Sequence, residues 1–425
     1  MRRKNVMAIL GVTAVFGLFF ATGASGATKI VIGNPECLSG RFAKAGEQAV
    51  GGIKASVKWI NEVYGGVKVG GKKLPLEYKL YDCESKKEVV TSLIERLITV
   101  DKVDFLFAPY SSPLTLAAAP LAEKYKKLFM DHGGASDRIF QQGFEYVVQT
   151  IGPGSRYHMG TLDMIRKIDP KANRLAMVYK DDEFSRDVMK GAEKHAQALG
   201  YEIVFKRTYP EGVADLTPVL SDMKAAKADI LMGGGHEADG QLLARQLADL
   251  DINAKAISVL VAVTLPSFND ALKQIADGVM GPSHWEYGVT YSEEAAKKLG
   301  LAWIGPTQDG FVKLFKEAVG KDMTPEYHSA EAAAAVLALV KGIEAADSLD
   351  NDKVRAALGK LHFMCFYGGW DVDDTGLQIG HSMVDMQWQA GKRVIVWPTE
   401  AATGKPCYPL PTFSEKAKGI LCIPK

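Results

Sequence analysis

Three hydroxyl-bearing side chains, Tyr110, Ser111 and Ser112, come directly after an apolar run and directly before a segment with helical spacing. Pro113 follows them, and a serine before a proline in the first helical turn is typical of a capped helix start. The free backbone N–H groups of a helix start, together with the positive end of the helix dipole, also bind anions. This hydroxyl row therefore indicates a helix cap, half of an anion-binding site, or both.

Polar residues follow five strand-like runs of the chain, including the run before the hydroxyl row. In an open parallel sheet, ligands bind beyond the carboxyl ends of the strands, so polar groups at these ends indicate one binding edge. The segments are 37–41, 110–112, 132–136, 180–184 and 235–237.

Signatures of catalysis are weak in this chain. The segment GGGHEA (233–238) fits the glycine pattern of dinucleotide sites, but it is not in the first strand-to-helix turn, and a plain glycine-rich turn explains it better. The chain has no G-x-S-x-G, H-E-x-x-H or phosphate-binding P-loop motif, and its histidines and cysteines lack metal-ligand spacing. We expect no enzyme activity, no metal and no cofactor.

The first 26 residues predict a secretory signal peptide. Three basic residues (2–4) precede a 14-residue apolar run (7–20), which is short for a membrane span, and small residues follow it. No cysteine lies near the expected cleavage point after position 26 or 27, so a lipid anchor is not expected. The mature protein is predicted to be soluble in the periplasm.

The mature chain is nearly neutral. Cleavage removes three of the 51 basic residues and leaves 48 against 50 acidic ones. This balance gives no bulk electrostatic reason to expect a nucleic acid or an anionic membrane as partner. Roughly 400 residues exceed what one hydrophobic core usually serves, so two domains are expected.

Five cysteines in an exported chain permit disulfides and leave at least one thiol over. Cys37 follows the first strand-like run and Cys83 ends the second, and such runs are neighbours in a parallel sheet. We therefore favour a Cys37–Cys83 disulfide, with Cys407–Cys422 as the second choice.

Strand-like and helical segments alternate from position 29 to a linker at 149–155, and the same order starts again at position 174. This alternation predicts right-handed βαβ units and mostly parallel sheets covered on both faces. The expected fold is α/β, with two similar doubly wound lobes. Lobe 1 is expected at 28–151 plus about 283–365, and lobe 2 at 152–282 plus about 366–425. SMVDMQWQ and KRVIVWP, joined by AGK, predict a terminal antiparallel pair.

An ordered set of segments resembles the type I periplasmic binding proteins of ABC transporters, in the group of the leucine/isoleucine/valine-binding proteins. The set includes KIVIGNPECLSGRFAKAGEQAVGGIKASVKWIN, VDFLFAPYSSPLT, MDHGGAS and RLAMVYKDDEFSRDVMKG, and it covers nearly the whole mature chain. The resemblance implies two lobes joined by hinge strands, which close on a small ligand and deliver it to a membrane permease. It implies no catalysis and no cofactor.

The resemblance also implies a ligand site. The positions that hold the ligand carboxylate in this family match Ser111, Ala135 and Ser136, and the aromatic residue of the second lobe matches Phe184. Tyr110 lies beside the first of these positions.

The chain departs from the leucine-binding pattern in the second lobe. Branched-chain amino acid receptors hold the ligand ammonium with an acid after the strand that matches AKAISVLV, where this chain has Val261, and His236 lies near the position of a second aromatic. A buried ammonium without a countercharge costs several kcal/mol. Glu237, Asp239 or Glu286 would therefore have to replace the acid, or the ligand lacks an amine.

Two further candidates have two interpretations each. Arg41, where the family often has proline, could pair with a second ligand carboxylate or face water. Trp285, near the second expected crossover between lobes, could stack on an aromatic ligand or pack in the hinge.

These observations predict an exported, non-enzymatic receptor for a small carboxylate. A branched-chain or other amino acid follows from the resemblance, and an aromatic or aliphatic acid without an amine follows from the missing acid. A sensory module that reports to a membrane receptor is a further alternative.

Overall fold

The computed structural model describes residues 27–320 and 322–424, so the predicted signal peptide at 1–26 lies outside the described residues. In chain order the first part contains β1 (Ile30–Glu36), α1 (Ala43–Trp59), β2 (Val67–Val69), β3 (Lys72–Leu74), β4 (Leu76–Asp82), α2 (Lys87–Thr99), β5 (Phe105–Phe107), α3 (Ser112–Lys124), β6 (Phe129–Asp131) and β7 (Val147–Gln149). The second part contains α4 (Met159–Ile168), β8 (Arg174–Lys180), α5 (Glu183–Ala198), β9 (Glu202–Tyr209), α6 (Thr217–Lys224), β10 (Ile230–Gly234), α7 (Glu237–Asp249), β11 (Ala256–Val259), α8 (Pro266–Leu272) and β12 (Met280–Ser283). The last part contains α9 (Glu293–Lys298), β13 (Ala302–Trp303), α10 (Gln308–Val319), α11 (Tyr327–Ala346), α12 (Asn351–Leu358), β14 (Phe363–Cys365), β15 (Gly368–Trp370), β16 (Val384–Gln389), β17 (Lys392–Trp397) and α13 (Phe413–Lys416).

The first sheet is parallel, with the strand order β4-β1-β5-β6-β7. Its inner strands are buried at nearly every position, as in the Phe-Leu-Phe run of β5, because helices cover both faces. Each strand is followed by a turn at the same edge of the sheet. That edge therefore collects the segments after β1, β5 and β6.

The second sheet has the order β17-β16-β12-β11-β10-β8-β9. Strands β8 to β12 pair in parallel, whereas β16 pairs antiparallel with β12 and with β17. The predicted antiparallel pair near the C-terminus is thus confirmed.

The chain passes between the two sheets three times, after β7, after β12 and before β16. In the last part, α11 packs against α1, where Ser56 Oγ donates to the Ala333 carbonyl at 3.0 Å. The approach is close: a Cβ on Gly52 would lie 1.9 Å from the Ser329 carbonyl oxygen. The two-lobe α/β fold is confirmed, and the residue bounds of the lobes stay a prediction. Within the described ranges, no helix combines the length and apolar character needed to cross a bilayer.

The bonded cysteine pair is the second choice of the sequence analysis, and the favoured pair is close together but not bonded. Cys407 and Cys422 form a disulfide that ties the C-terminal segment to itself over 15 residues. Cys37 and Cys83 follow the paired residues Glu36 and Asp82, and their Sγ atoms lie 2.6 Å apart without a bond. The Cys37–Cys83 disulfide therefore stays a prediction.

Peptide mapping of the unreduced, denatured and alkylated protein checks both pairs. We expect Cys407–Cys422 and Cys37–Cys83 peptides to be linked, because an exported chain, as the N-terminal sequence predicts, enters an oxidising compartment, and Cys365 to be alkylated as the internal control. Closing a 15-residue loop stabilises by about 3 kcal/mol, so the double variant Cys407→Ala, Cys422→Ala should unfold at lower denaturant. Alkylation of Cys37 and Cys83 in the unreduced protein would show that this pair is not formed.

Candidate binding pocket between the lobes

A small pocket lies between the two sheets. Residues after β5 and β6 line it from the first sheet, and residues after β8, β10 and β11 line it from the second. The lining consists of Tyr110, Ser111, Ser112, Gly133, Ala135, Ile151, Tyr157, Phe184, His236, Val261 and Tyr327. The side chains that line the pocket are all buried, so the pocket is closed to bulk water.

Ser111 has a buried hydroxyl at the N-terminus of α3. Its carbonyl accepts hydrogen bonds from the N–H groups of Leu114 and Thr115, both at 2.9 Å, but its side chain makes no capping bond. Among the described residues, the Ser111 hydroxyl has no hydrogen-bond partner. The prediction of a side-chain cap is therefore wrong. A buried hydroxyl without a partner costs about 1–3 kcal/mol, which a hydrogen-bonding ligand would relieve.

Ser136 lies beside the pocket and does not line it. Its N–H donates to Ser112 Oγ at 3.1 Å, and its hydroxyl donates to the Asp187 carboxylate on α5. Ser136 therefore links the two lobes in this closed form. Its neighbour Ala135 does line the pocket, and the Ala135 carbonyl accepts from the Gly154 N–H at 2.6 Å.

Four aromatic rings form most of the pocket wall: Tyr110, Tyr157, Tyr327 and Phe184. The Tyr157 and Phe184 rings meet edge to face, with 5.3 Å between centroids. Desolvation, with smaller contributions from nearby acidic groups, raises the pKa of each tyrosine well above its ordinary value. The three hydroxyls therefore stay protonated and can donate hydrogen bonds.

Tyr157 and Tyr327 were not found by sequence reasoning, because neither follows a strand. Tyr157 comes after a short 3-10 turn (Gly154–Arg156) in the linker, and Tyr327 begins α11. An aromatic residue at the start of the long helix YHSAEAAAAVLALVKGIEAA was the one available signal for Tyr327.

A chain of hydrogen bonds crosses the pocket. Tyr110 Oη lies 2.6 Å from His236 Nδ1, and His236 Nε2 lies 3.1 Å from Asp182 Oδ2. Burial alone would raise the pKa of the Asp182 carboxyl, but the hydrogen bond from His236, the Ser185 N–H and the Lys180 ammonium hold it below its ordinary value. Asp182 is therefore an ionised acceptor, and His236 Nε2 carries a proton.

Charged side chains surround the pocket without lining it. Lys180 is only 3% exposed, and its Nζ lies 3.6 Å from Asp182, 3.8 Å from Asp239 and 3.9 Å from Glu211. Arg41 pairs with Glu211 across the cleft and stacks its guanidinium 4.5 Å from the Phe42 ring centroid. Arg41 thus faces a carboxylate of the other lobe.

Two buried groups behind the tyrosines, Glu331 and His284, are shifted towards their neutral forms. Desolvation, followed by the charges of Glu326, Asp131 and Glu36, raises the pKa of Glu331 well above its ordinary value. Burial also lowers the pKa of His284 well below its ordinary value. These groups therefore supply little net charge to the pocket.

The remaining candidates lie elsewhere. Trp285 packs in the hinge region, where its Nε1 donates to the Phe366 carbonyl at 3.1 Å and its ring meets Phe311 at 5.7 Å. Of the acids that could replace the missing one, Glu237 accepts from Ser267 Oγ at 2.6 Å and Asp239 accepts from the His236 N–H at 3.0 Å. Glu286 pairs with Arg393 at 3.4 Å. None of these three acids lines the pocket.

Val261, at the position of the missing acid, lines the pocket with a φ of 47°. A β-branched residue at positive φ is strained, and such strain is concentrated at functional sites. The described residues contain no group of three or more His, Cys, Asp or Glu side chains arranged to hold a metal. The pocket offers neutral donors, a helix N-terminus and aromatic rings, which suits a compact anion with an apolar body.

Comparison with known proteins agrees with this architecture. The family model for periplasmic binding proteins matches residues 29–393. The chain is 25% identical over 419 residues to Leu/Ile/Val-binding protein homolog 8 of Brucella abortus, covering 95% of this chain and 98% of that protein.

Two solved structures share the fold. One is the branched-chain amino acid transporter substrate-binding protein LivJ of Streptococcus pneumoniae in complex with isoleucine, with a TM-score of 0.72, 19% identity, and coverage of 86% of this chain and 97% of that one. The other is an ABC transporter solute-binding protein of R. palustris in complex with 4-hydroxybenzoate, with a TM-score of 0.72, 22% identity, and coverage of 89% and 97%. With the family match over most of its length, the chain belongs to the type I periplasmic binding proteins, in the branched-chain amino acid group.

Proposed function

We propose that this protein is an extracytoplasmic receptor of an ABC importer that captures an aromatic or compact aliphatic monocarboxylate without an amine. Closure of the two lobes encloses the ligand, and a membrane permease receives it. Members of the family are solute-binding receptors and not enzymes, which supports a role in capture alone. We also propose the lobe bounds, the soluble periplasmic state and the use of Tyr110, Ser111, Ala135, Phe184 and His236 in binding.

One observation carries the choice of ligand class: among the described residues that line the pocket, none is Asp, Glu, Lys or Arg. An amino acid would bring an ammonium into a closed pocket without a lining carboxylate, which is unfavourable. The ionised Asp182 lies on the far side of the His236 ring, 3.1 Å from its Nε2, and does not line the pocket. A monocarboxylate, unlike an ammonium, can accept hydrogen bonds from the donors that the pocket has.

The carboxylate end of the ligand is proposed to lie at Ser111. The free hydroxyl of Ser111 and the N-terminus of α3 favour an anion there. The rings of Tyr157, Tyr327 and Phe184 would cover the apolar body of the ligand. Solved relatives with 4-hydroxybenzoate and with benzoate support the aromatic class, whereas isoleucine in LivJ supports the amino acid alternative.

Matched pairs of compounds that differ only in the amine test this choice. We expect 4-methylpentanoate to raise the melting temperature more than leucine, and 3-phenylpropanoate more than phenylalanine, with benzoate and 4-hydroxybenzoate as further aromatic probes. A ligand at 100 times its Kd stabilises by about 2.7 kcal/mol, which a thermal-shift assay detects. Benzyl alcohol, which has no charge, is the control for the carboxylate. Stabilisation by leucine or isoleucine, with none by their des-amino partners, would contradict the proposal.

The variant Ser111→Ala tests the position of the carboxylate. A hydrogen bond to a charged group contributes about 1.5–3 kcal/mol, so affinity measured by calorimetry should fall by about ten- to a hundred-fold. The melting temperature of the ligand-free protein should not fall and should rise, because the substitution removes a buried hydroxyl that has no partner within the described residues.

Ser292→Ala is the matched control. Ser292 caps α9 through its side chain, which accepts from the Ala295 N–H at 3.1 Å, far from the pocket lining. Its loss should cost about 1 kcal/mol of stability and leave affinity unchanged. Unchanged affinity in Ser111→Ala would place the carboxylate elsewhere.

A further inference from the structure

An anion that enters this pocket lacks a fixed countercharge. Among the described lining residues, His236 is the one side chain that can become positively charged. Histidine is also the side chain that most readily gains a proton near neutral pH. We propose that capture of the anionic ligand is coupled to protonation of His236, so that one proton enters the closed pocket with each ligand. This inference rests on the proposed function, since it requires an anionic ligand.

The hydrogen-bond chain through His236 can accommodate that proton. With Asp182 accepting from Nε2–H at 3.1 Å, a neutral His236 ring has only Nδ1 free to accept from the Tyr110 hydroxyl at 2.6 Å. When solvent supplies a proton to Nδ1, the N–H donates to the Tyr110 oxygen instead. The Tyr110 O–H is then released and can donate to the ligand carboxylate, so that one proton added at Nδ1 creates one new donor in the pocket.

The two cations near His236 are already paired with carboxylates, so neither of them balances the negative charge of a ligand. Asp239 accepts from the His236 backbone N–H at 3.0 Å, and Lys180 lies between Asp239 and Asp182 at 3.8 and 3.6 Å. Glu211 binds both Lys180 and Arg41. Three carboxylates thus already surround the two cations, so neither Lys180 nor Arg41 is free to balance a ligand.

The other neighbours of the pair are apolar or, like His328, lie outside the pocket lining. The rings of Phe42 and Phe184 lie 4.9 and 5.5 Å from the His236 ring. On the side of Tyr110, the His328 ring lies 4.9 Å away, but its Nδ1 is held by Glu326 at 2.8 Å. His236 is therefore the group best placed to take the proton.

Calorimetry in buffers of different ionisation enthalpy measures the proton directly. With benzoate, and with 3-phenylpropanoate as a second probe, at pH 7.5, we expect the observed enthalpy to vary with the buffer and to report uptake of about 0.5 to 1 proton per ligand. The Kd should rise with pH, by up to about tenfold per unit above neutrality, because the bound state holds more protons. In His236→Gln the uptake and the pH dependence should disappear.

His195→Gln is the matched control, because His195 also pairs with an aspartate, Asp163, at 2.8 Å but lies outside the pocket lining. It should keep the wild-type uptake. If His236→Gln does not bind benzoate, the ¹⁵N signals of the histidine rings in the wild-type protein test the coupling. On binding of benzoate, one histidine ring should change to the form in which both nitrogens carry a proton.

The outcomes separate this inference from the proposed function. Binding of benzoate or 3-phenylpropanoate without proton uptake, or uptake that persists in His236→Gln, would overturn the coupling and leave the proposed function standing. Binding of leucine with no binding of any des-amino acid would overturn both.

Discussion

The hydrogen bond between Tyr110 and His236 is the contact on which the closed form depends. It joins a residue after β5 of the first sheet to a residue after β10 of the second, inside the pocket. Ser136 with Asp187 and Arg41 with Glu211 add two further contacts between the same lobes. Closure and pocket formation therefore use the same side chains, so a ligand that fills the pocket also strengthens the closed form.

The balance of charge explains why these contacts lie where they do. Lys180, Asp182 and Asp239 form a largely buried network on the second lobe, close to the pocket but behind His236, and the exposed Glu211 joins it at the surface. Buried charges are stable only when they are paired, and this network is paired within the protein. A ligand therefore meets neutral donors and aromatic rings. Among the described residues that line the pocket, His236 is the one whose side chain makes a hydrogen bond to this network.

Much of the fold could be predicted from the sequence, because it follows from local pattern. Alternating strands and helices indicated two mostly parallel sheets, and the rule that ligands bind at strand ends gave the segments 110–112, 132–136, 180–184 and 235–237. Within these segments the family resemblance singled out Ser111, Ala135 and Phe184, which line the pocket together with Tyr110 and His236. The rule failed for Tyr157 and Tyr327, which reach the pocket from the hinge and from α11, since their placement depends on how the lobes pack. It also could not separate Ser111 from Ser136: both are strand-end serines, but an acid on the other lobe already accepts from Ser136. Trp285 and Arg41 show the same limit, because their partners lie far away in sequence.

The most direct test of this account is a crystal structure of the protein with bound benzoate. The account predicts a benzoate oxygen within about 3 Å of Ser111 Oγ at the N-terminus of α3, with the ring against Tyr157, Tyr327 and Phe184 and with Tyr110 still bonded to His236. A carboxylate directed at Val261 or Lys180, with the Ser111 hydroxyl left without a partner, would contradict it.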